Sequence, residues 1–285
     1  MSELSNINTI KELMARHGVR FSKAMGQNFL TNPSVCPEMA EYAVEDGTKG
    51  VLEIGPGIGV LTRELAEQAQ KVVAVELDKR LLPVLAETLE KQDNVKIISG
   101  DVLKLDLHRL LEEEFAGMEV AVCANLPYYI TSPIVMRLLE ERLPLTSITV
   151  MVQKEAAQRL CAKVGSRQSG AVTVAVQYYA EPEILFSVSR GSFMPPPNVD
   201  SAVIRLKVRK QPPIAVTDEA LLFKIVKAAF GQRRKTVWNA LSAGLSLSKD
   251  KVKESLDNAE IPPMARAEQL TMEEFGRLAE AFHKI

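Results

Sequence analysis

The sequence is poor in the residues that build metal and disulfide sites. It has three cysteines, Cys36, Cys123 and Cys161, and three histidines, His17, His108 and His283. The cysteines are far apart and form no CxxC, so neither a disulfide framework nor a zinc site is expected; they read as small buried hydrophobes. So few histidines speak against a histidine pair or a Ser-His-Asp constellation. No apolar run approaches the roughly 20 residues that cross a bilayer. The opening residues, MSELSNINTIKELMARHG, lack the apolar core of a secretory signal, so a cytoplasmic protein with no membrane partner is expected. Apolar residues at 46% and charged residues at 25% exclude disorder and collagen-like folds. A formal net charge of -1 shows no basic excess, and at first sight this counts against a nucleic-acid partner.

What the chain does contain is a regular alternation. Short β-branched runs at 51–54, 71–75, 95–98, 120–123 and 147–152 are separated by segments with helical spacing, such as Leu61, Leu65 and Ala69. Units of this kind imply parallel strands joined by crossover helices. The expected fold is therefore α/β, a doubly wound, mostly parallel Rossmann-like sheet. Two later runs, 183–186 and 202–208, have no comparable helix between them and suit an antiparallel pair at one edge. In the second, Ile204, Leu206 and Val208 alternate with Arg205, Lys207 and Arg209, giving one apolar and one basic face. Gln211-Pro212-Pro213 ends the strand pattern. Beyond it four helices are expected near 218–230, 235–244, 249–258 and 271–283, with Asp218, Ser248 and Thr271 as N-caps and Glu274 completing a capping box. The expected domains are 1–210, with a helical and basic leading segment 1–46, and a small all-α domain over 214–285.

Gly55-Pro-Gly57-Ile-Gly59 follows a strand and opens a helix, where backbone N–H groups approach a ligand too closely for side chains. A dinucleotide fingerprint GxGxxG would need glycine at position 60, which is Val60. The GxGxG spacing is instead typical of S-adenosylmethionine enzymes. Glu76 ends the second strand, where a carboxylate can accept from both ribose hydroxyls; taken alone it suits NAD equally. Asp101 ends the third strand, where a carboxylate can accept from an exocyclic adenine amine.

Asn125-Leu126-Pro127-Tyr128 ends the fourth strand, beside the expected cofactor. An adenine amino nitrogen is a poor nucleophile because its lone pair is delocalised into the ring. If the Asn125 side-chain oxygen and the Pro127 carbonyl each accept from that NH2, the nitrogen is pushed towards tetrahedral geometry and the lone pair is freed. Tyr128 would stack on the base, and no metal is needed. Phe193, just ahead of three stiffening prolines, is a second candidate for stacking, with core packing the open alternative.

Together with Gly26-Gln27-Asn28-Phe29-Leu30, Gln153-Lys-Glu155, Phe193-Met-Pro-Pro-Pro-Asn-Val-Asp-Ser201 and Phe230-Gly-Gln-Arg-Arg-Lys235, these motifs occur in order over about residues 20–240. The set resembles the small-subunit ribosomal RNA adenine N6-dimethyltransferases, the dimethyladenosine transferases whose loss confers kasugamycin resistance. The resemblance implies a class I methyltransferase sheet. It also implies transfer of four methyl groups from S-adenosylmethionine to two adjacent adenosines in a hairpin near the 3′ end of small-subunit rRNA, during subunit maturation. It places cofactor contacts on Asn28, Leu30, Gly55, Glu76, Asp101 and Asn125, with Gly57 in the same glycine turn. The target-base role falls on Asn125, Leu126, Pro127 and Tyr128, with Phe193 as second stacking partner. A monomer is the expected state.

Alternatives stay open at this point. An NAD-dependent reductase is disfavoured by Val60 and by the lack of a Tyr-x-x-x-Lys or catalytic-histidine pattern. A non-catalytic RNA-binding or assembly protein would share the fold. The erythromycin-resistance methylases of large-subunit rRNA share much of the site, although the 193–201 segment and Arg-Arg-Lys235 favour the small-subunit branch. The net charge hides a segregation: 13–37, 156–180, 201–217 and 220–249 are rich in bases, and acids gather elsewhere, as at Glu112-Glu-Glu114. The expected RNA contacts are Arg20, Lys23, Arg167, Arg205, Lys207, Arg233, Arg234 and Lys235, with binding that weakens as salt rises.

Overall fold

The computed structural model describes residues 3–19, 28–45, 47–232 and 234–284. Helix α1 (Ile7–Arg16) buries Ile10, Leu13 and Met14 and is capped by Asn6, whose side chain accepts from Asn8 N at 2.9 Å. A two-residue strand β1 (Phe29–Leu30) and helix α2 (Val35–Ala43) precede the alternation that the sequence predicts. It runs β2 (Gly50–Ile54), α3 (Val60–Gln68), β3 (Lys71–Glu76), α4 (Leu82–Thr88), β4 (Val95–Ser99), α5 (Leu107–Phe115), β5 (Val120–Asn125), α6 (Thr131–Glu140) and β6 (Leu145–Gln153). After α7 (Lys154–Leu160) and α8 (Ala171–Tyr179) come β7 (Ala180–Val188), a second two-residue strand β8 (Phe193–Met194) and β9 (Ser201–Val208).

Seven strands form one sheet in the order β4-β3-β2-β5-β6-β9-β7. The five from β4 to β6 are parallel, and β9 runs antiparallel to β6. Every residue of β2 is buried, as is all of β3 except its first; strands covered on both faces read as continuous apolar runs. The strand order reverses at β2, with β3 on one side and β5 on the other, and ligands of open α/β sheets bind beyond the carboxyl ends at such a point. Outside this sheet β1 pairs antiparallel with β8, Leu30 opposite Phe193. That pairing brings residues from before the sheet next to the segment that feeds β9.

Strand β9 does not present the expected basic face. Ser201 to Leu206 are all buried: β6 and β7 pair with the two edges of the strand, and the side chains on both of its faces are covered. Arg205 is 7% exposed. Its guanidinium donates to Glu183 at 2.7 Å and to Glu45, and lies 5.3 Å over the Tyr42 ring. The charge of Arg205 is neutralised inside the protein, which removes it from the RNA contacts. Lys207 is half-buried, and Arg209 is paired with Glu181 at 2.7 Å.

By internal contacts the chain divides into one unit with residues up to Ala157 and Glu183–Val208, and another with Gln158–Pro182 and the residues from Arg209 onward. The sequence boundary near 210 puts 158–182 with the first. Helix α8 accounts for the difference, since the Tyr178 and Tyr179 hydroxyls donate to Glu219 at 3.2 and 2.7 Å and both rings pack on Phe223. Glu219 and Phe223 belong to α9 (Glu219–Phe230), which is followed by α10 (Val237–Leu245), α11 (Lys249–Asn258) and α12 (Met272–His283), close to the expected spans. The expected caps form: Asp218 accepts from Leu221 N, Ser248 from Lys251 N, and Thr271 and Glu274 close a capping box. Among the described residues no helix is long and apolar enough to cross a membrane.

Candidate active site

Three glycines turn β2 into α3. Gly55, Gly57 and Gly59 have φ of 70°, 61° and 88°, a region in which other residues are strained. A Cβ at Gly59 would also lie 3.1 Å from Leu89 and Thr88, whereas one at Gly55 would have nothing within 4 Å. The first glycine of the turn thus faces open space. Glu76, the last residue of β3, is 5% exposed and braces this turn: one carboxylate oxygen accepts from Gly57 N at 3.3 Å and the other from Asp78 N at 2.7 Å. A carboxylate has about four acceptor positions, so two bonds leave capacity for a ligand. Burial holds the Glu76 carboxyl above its ordinary range, and the backbone N–H donors pull it back. Asp101, just past β4, accepts from Leu103 N at 3.0 Å on one oxygen and faces Lys104 at 3.4 Å with the other.

Asn125 ends β5, and the next residue stays in the ladder, Leu126 N donating to Met151 O at 3.3 Å. The Asn125 side chain lines the cavity with no hydrogen-bond partner among the described residues. Residues 128–130 then form one tight turn into α6. The Pro127 carbonyl accepts from Ile130 N at 3.1 Å and Thr131 Oγ1 at 3.4 Å. This corrects the role expected of it, because a carbonyl that caps the following turn is not presented to a substrate amine. The Leu126 carbonyl, one residue earlier, has no donor among the described residues. The Tyr128 ring is half-buried, its hydroxyl 2.7 Å from Ser201 Oγ, and burial pushes that phenol up.

Asn28, Leu30, Gly55, Gly57, Glu76, Asp101, Asn125, Leu126, Pro127, Tyr128 and Phe193 all line one cleft. The cleft is open to solvent and has the glycine turn and the Asn125–Tyr128 loop both on its walls. The β1–β8 pair carries Asn28, Leu30 and Phe193 to it, and Phe193 is 4% exposed. Of the expected RNA contacts, Arg167, Arg234 and Lys235 are exposed in the second unit, while Arg20, Lys23 and Arg233 lie outside the described residues.

Tyr129 and Glu53 also line the cleft, although neither was expected there. Tyr129 stands at the mouth, 63% exposed. Glu53, in the middle of a buried strand, was visible only as the acid before the glycine turn. It is 1% exposed, and its Oε2 has no hydrogen-bond partner among the described residues. Burial pushes its carboxyl up to about 8, with Glu76 adding to the rise and the Thr62 hydroxyl opposing it.

Glu53 therefore makes stability depend on pH. Below about pH 4.5 it is protonated whether the chain is folded or not; between there and about 8 the unfolded chain ionises while the folded one holds its proton. Stability drawn from the neutral form is full at the acid end and lost as pH rises through about 8. Binding a proton tenfold more tightly is worth about 1.4 kcal/mol, so Glu53→Gln is expected to gain stability over wild type by a few kcal/mol between pH 5 and 8. Thermal unfolding of both proteins across that range checks it, and a difference that does not change with pH would contradict it.

A family model described as ribosomal RNA adenine dimethylase matches residues 18–284. The chain belongs to this family. A relative from Geobacillus thermodenitrificans, named ribosomal RNA small subunit methyltransferase A, is 52% identical over 275 residues, 95% of this chain and 94% of that one. Among solved structures, a dimethyladenosine transferase from Plasmodium falciparum superposes with a TM-score of 0.73 at 25% identity, covering 90% of this chain and 98% of that one. The 23S rRNA methyltransferase ErmE superposes with a TM-score of 0.68 at 29% identity, covering 90% and 100%. Membership thus spans both units, the glycine turn and the Asn125–Tyr128 loop.

Proposed function

We propose that the chain dimethylates the N6 amino groups of two adjacent adenosines in a hairpin near the 3′ end of 16S small-subunit rRNA, using S-adenosylmethionine, in the cytoplasm during small-subunit maturation. The observation that carries this reading is the meeting, in one cleft, of the glycine turn, Glu76 and Asp101 with the Asn125–Tyr128 loop. The small-subunit relative at 52% identity supports this branch over the large-subunit one, whose structural relative is 29% identical.

The residues fit the cofactor. S-adenosylmethionine, when bound, supplies an already activated methyl group on a cationic sulfur. The Glu76 carboxylate, with acceptor capacity beyond its two backbone bonds, and the open space in front of Gly55 suit a ribose-bearing ligand in this cleft. Glu76 would hold the ribose hydroxyls, Asp101 the adenine amine, and Asn28, Leu30 and the Gly55–Gly57 backbone the remainder.

The acceptor chemistry belongs to the loop. With Pro127 O engaged in its own turn, the Asn125 side-chain oxygen and the Leu126 carbonyl are the two acceptors for the target NH2. Two acceptors on one amino group draw its hydrogens out of the ring plane and localise the lone pair on nitrogen. Tyr128 and Phe193 would hold the base by stacking, with the phosphate backbone held by Arg167, Arg234 and Lys235.

A calorimetric titration separates this from a reductase on the same sheet. S-adenosylmethionine is expected to bind at micromolar or lower concentration with NADH giving no competing signal. Preferential binding of NADH would overturn the reading.

A further inference from the structure

Stacking on a base needs a ring and no hydroxyl, yet position 128 is tyrosine. Its hydroxyl is 2.7 Å from the hydroxyl of Ser201, the first residue of β9, which is 0% exposed. A hydroxyl so placed has no water to turn to, so the pair is a fixed contact. Register shows how far it reaches. Asn125 of β5 pairs with Met151 of β6, and Gln153 of β6 pairs with Ser201 of β9, so the loop after Asn125 crosses the end of β6 to meet its partner.

Ser201 is itself well anchored. The preceding Asp200 accepts from Lys154 N through its carbonyl and from Arg190 N through its carboxylate, both at 3.0 Å. The loop so pinned, between β7 and β9, is the one that carries Phe193 into the cleft. One pair of hydroxyls therefore ties the segment presenting Tyr128 to the segment presenting Phe193.

We propose that Ser201 is a positioning residue for methyl transfer: its hydrogen bond to Tyr128 fixes the ring plane against which the target adenine stacks. The proposal rests on the reading of Asn125–Tyr128 as the target-base site. Without the tether the Tyr128 side chain can leave its rotamer, and the base is held off the line of transfer for part of the time. RNA affinity depends mainly on phosphate contacts elsewhere, so the loss falls on kcat and spares KM.

The test uses the full-length protein, S-adenosylmethionine and small ribosomal subunits lacking the modification. Ser201→Ala and Tyr128→Phe are each expected to lower kcat about tenfold with KM for the subunits within about twofold. The double variant Ser201→Ala with Tyr128→Phe is expected to be no slower than either alone. Ser201→Thr, which keeps the hydroxyl, is expected to restore most of the rate. Wild-type kcat in Tyr128→Phe, losses that multiply in the double variant, or a fall in Ser201→Thr equal to that in Ser201→Ala would overturn the tether. Wild-type kcat in Tyr128→Ala would instead overturn the target-base reading itself. Because Tyr128→Phe leaves Ser201 in place and alters a half-buried ring only at its edge, the proposal stays testable if Ser201→Ala does not fold.

Discussion

Replacing Asn125 by alanine is expected to lower methyl transfer by about 10³-fold while leaving S-adenosylmethionine affinity within roughly threefold. The lone pair of an adenine amine is committed to the ring, and the side-chain oxygen is one of two acceptors that draw it out. Losing an oriented acceptor that acts only as the reaction proceeds reduces kcat and leaves ground-state binding nearly intact. The substitution leaves the loop in place, since the bonds that shape it, such as Leu126 N to Met151 O, Ile130 N to Pro127 O and Tyr128 OH to Ser201 Oγ, do not use the Asn125 side chain. Single-turnover methyl incorporation alongside calorimetric cofactor binding separates the two effects. Normal turnover would refute the role of Asn125, whereas a wild type as inactive as the variant would restore the reading as a non-catalytic assembly protein, for which this side chain is irrelevant.

The second large effect is expected at Glu76. Alanine there removes the proposed acceptor of the ribose hydroxyls and strips Gly57 N and Asp78 N of theirs, so the glycine turn loses its brace as the ligand loses its partner. Hydrogen bonds to a charged group are each worth about 1.5–3 kcal/mol, and about 1.4 kcal/mol is tenfold in affinity, so two lost contacts weaken cofactor binding by at least roughly 100-fold. With cofactor in excess the KM for RNA is expected to stay as in wild type. An unchanged cofactor affinity would place ribose recognition on another residue.

The parts of this site that were legible in sequence share a physical cause. Strands buried on both faces read as apolar runs, so a polar residue at the end of one stands out: Glu76 and Asn125 are visible for that reason, and Asp101 by its place after the glycine that ends the partly buried edge strand β4. Caps are equally local, and Asp218, Ser248 and Thr271 announce their helices. What was not legible depends on neighbours distant in sequence. The alternation in β9 suggests an exposed basic face, and only the arrival of Glu45 and Tyr42 beside it turns Arg205 inward. Ala171–Tyr179, rich in β-branched and aromatic residues, gives little sign of helix; α8 is so largely buried that no polar stripe marks its period. Strands β1 and β8 are too short to carry any period, yet they deliver Asn28, Leu30 and Phe193 to the cleft. The Pro127 carbonyl was misassigned because its partner is set by the turn that follows it.

The central claim is that this cleft dimethylates two neighbouring adenosines of small-subunit rRNA. It is tested most directly by incubating the purified protein with S-adenosylmethionine and ribosomal subunits from cells lacking its gene, then mapping the rRNA by mass spectrometry. The expected result is N6,N6-dimethyladenosine at two adjacent positions near the 3′ end of the small-subunit rRNA and none in the large. Dimethyladenosine in the large-subunit rRNA alone, or in neither, would contradict it.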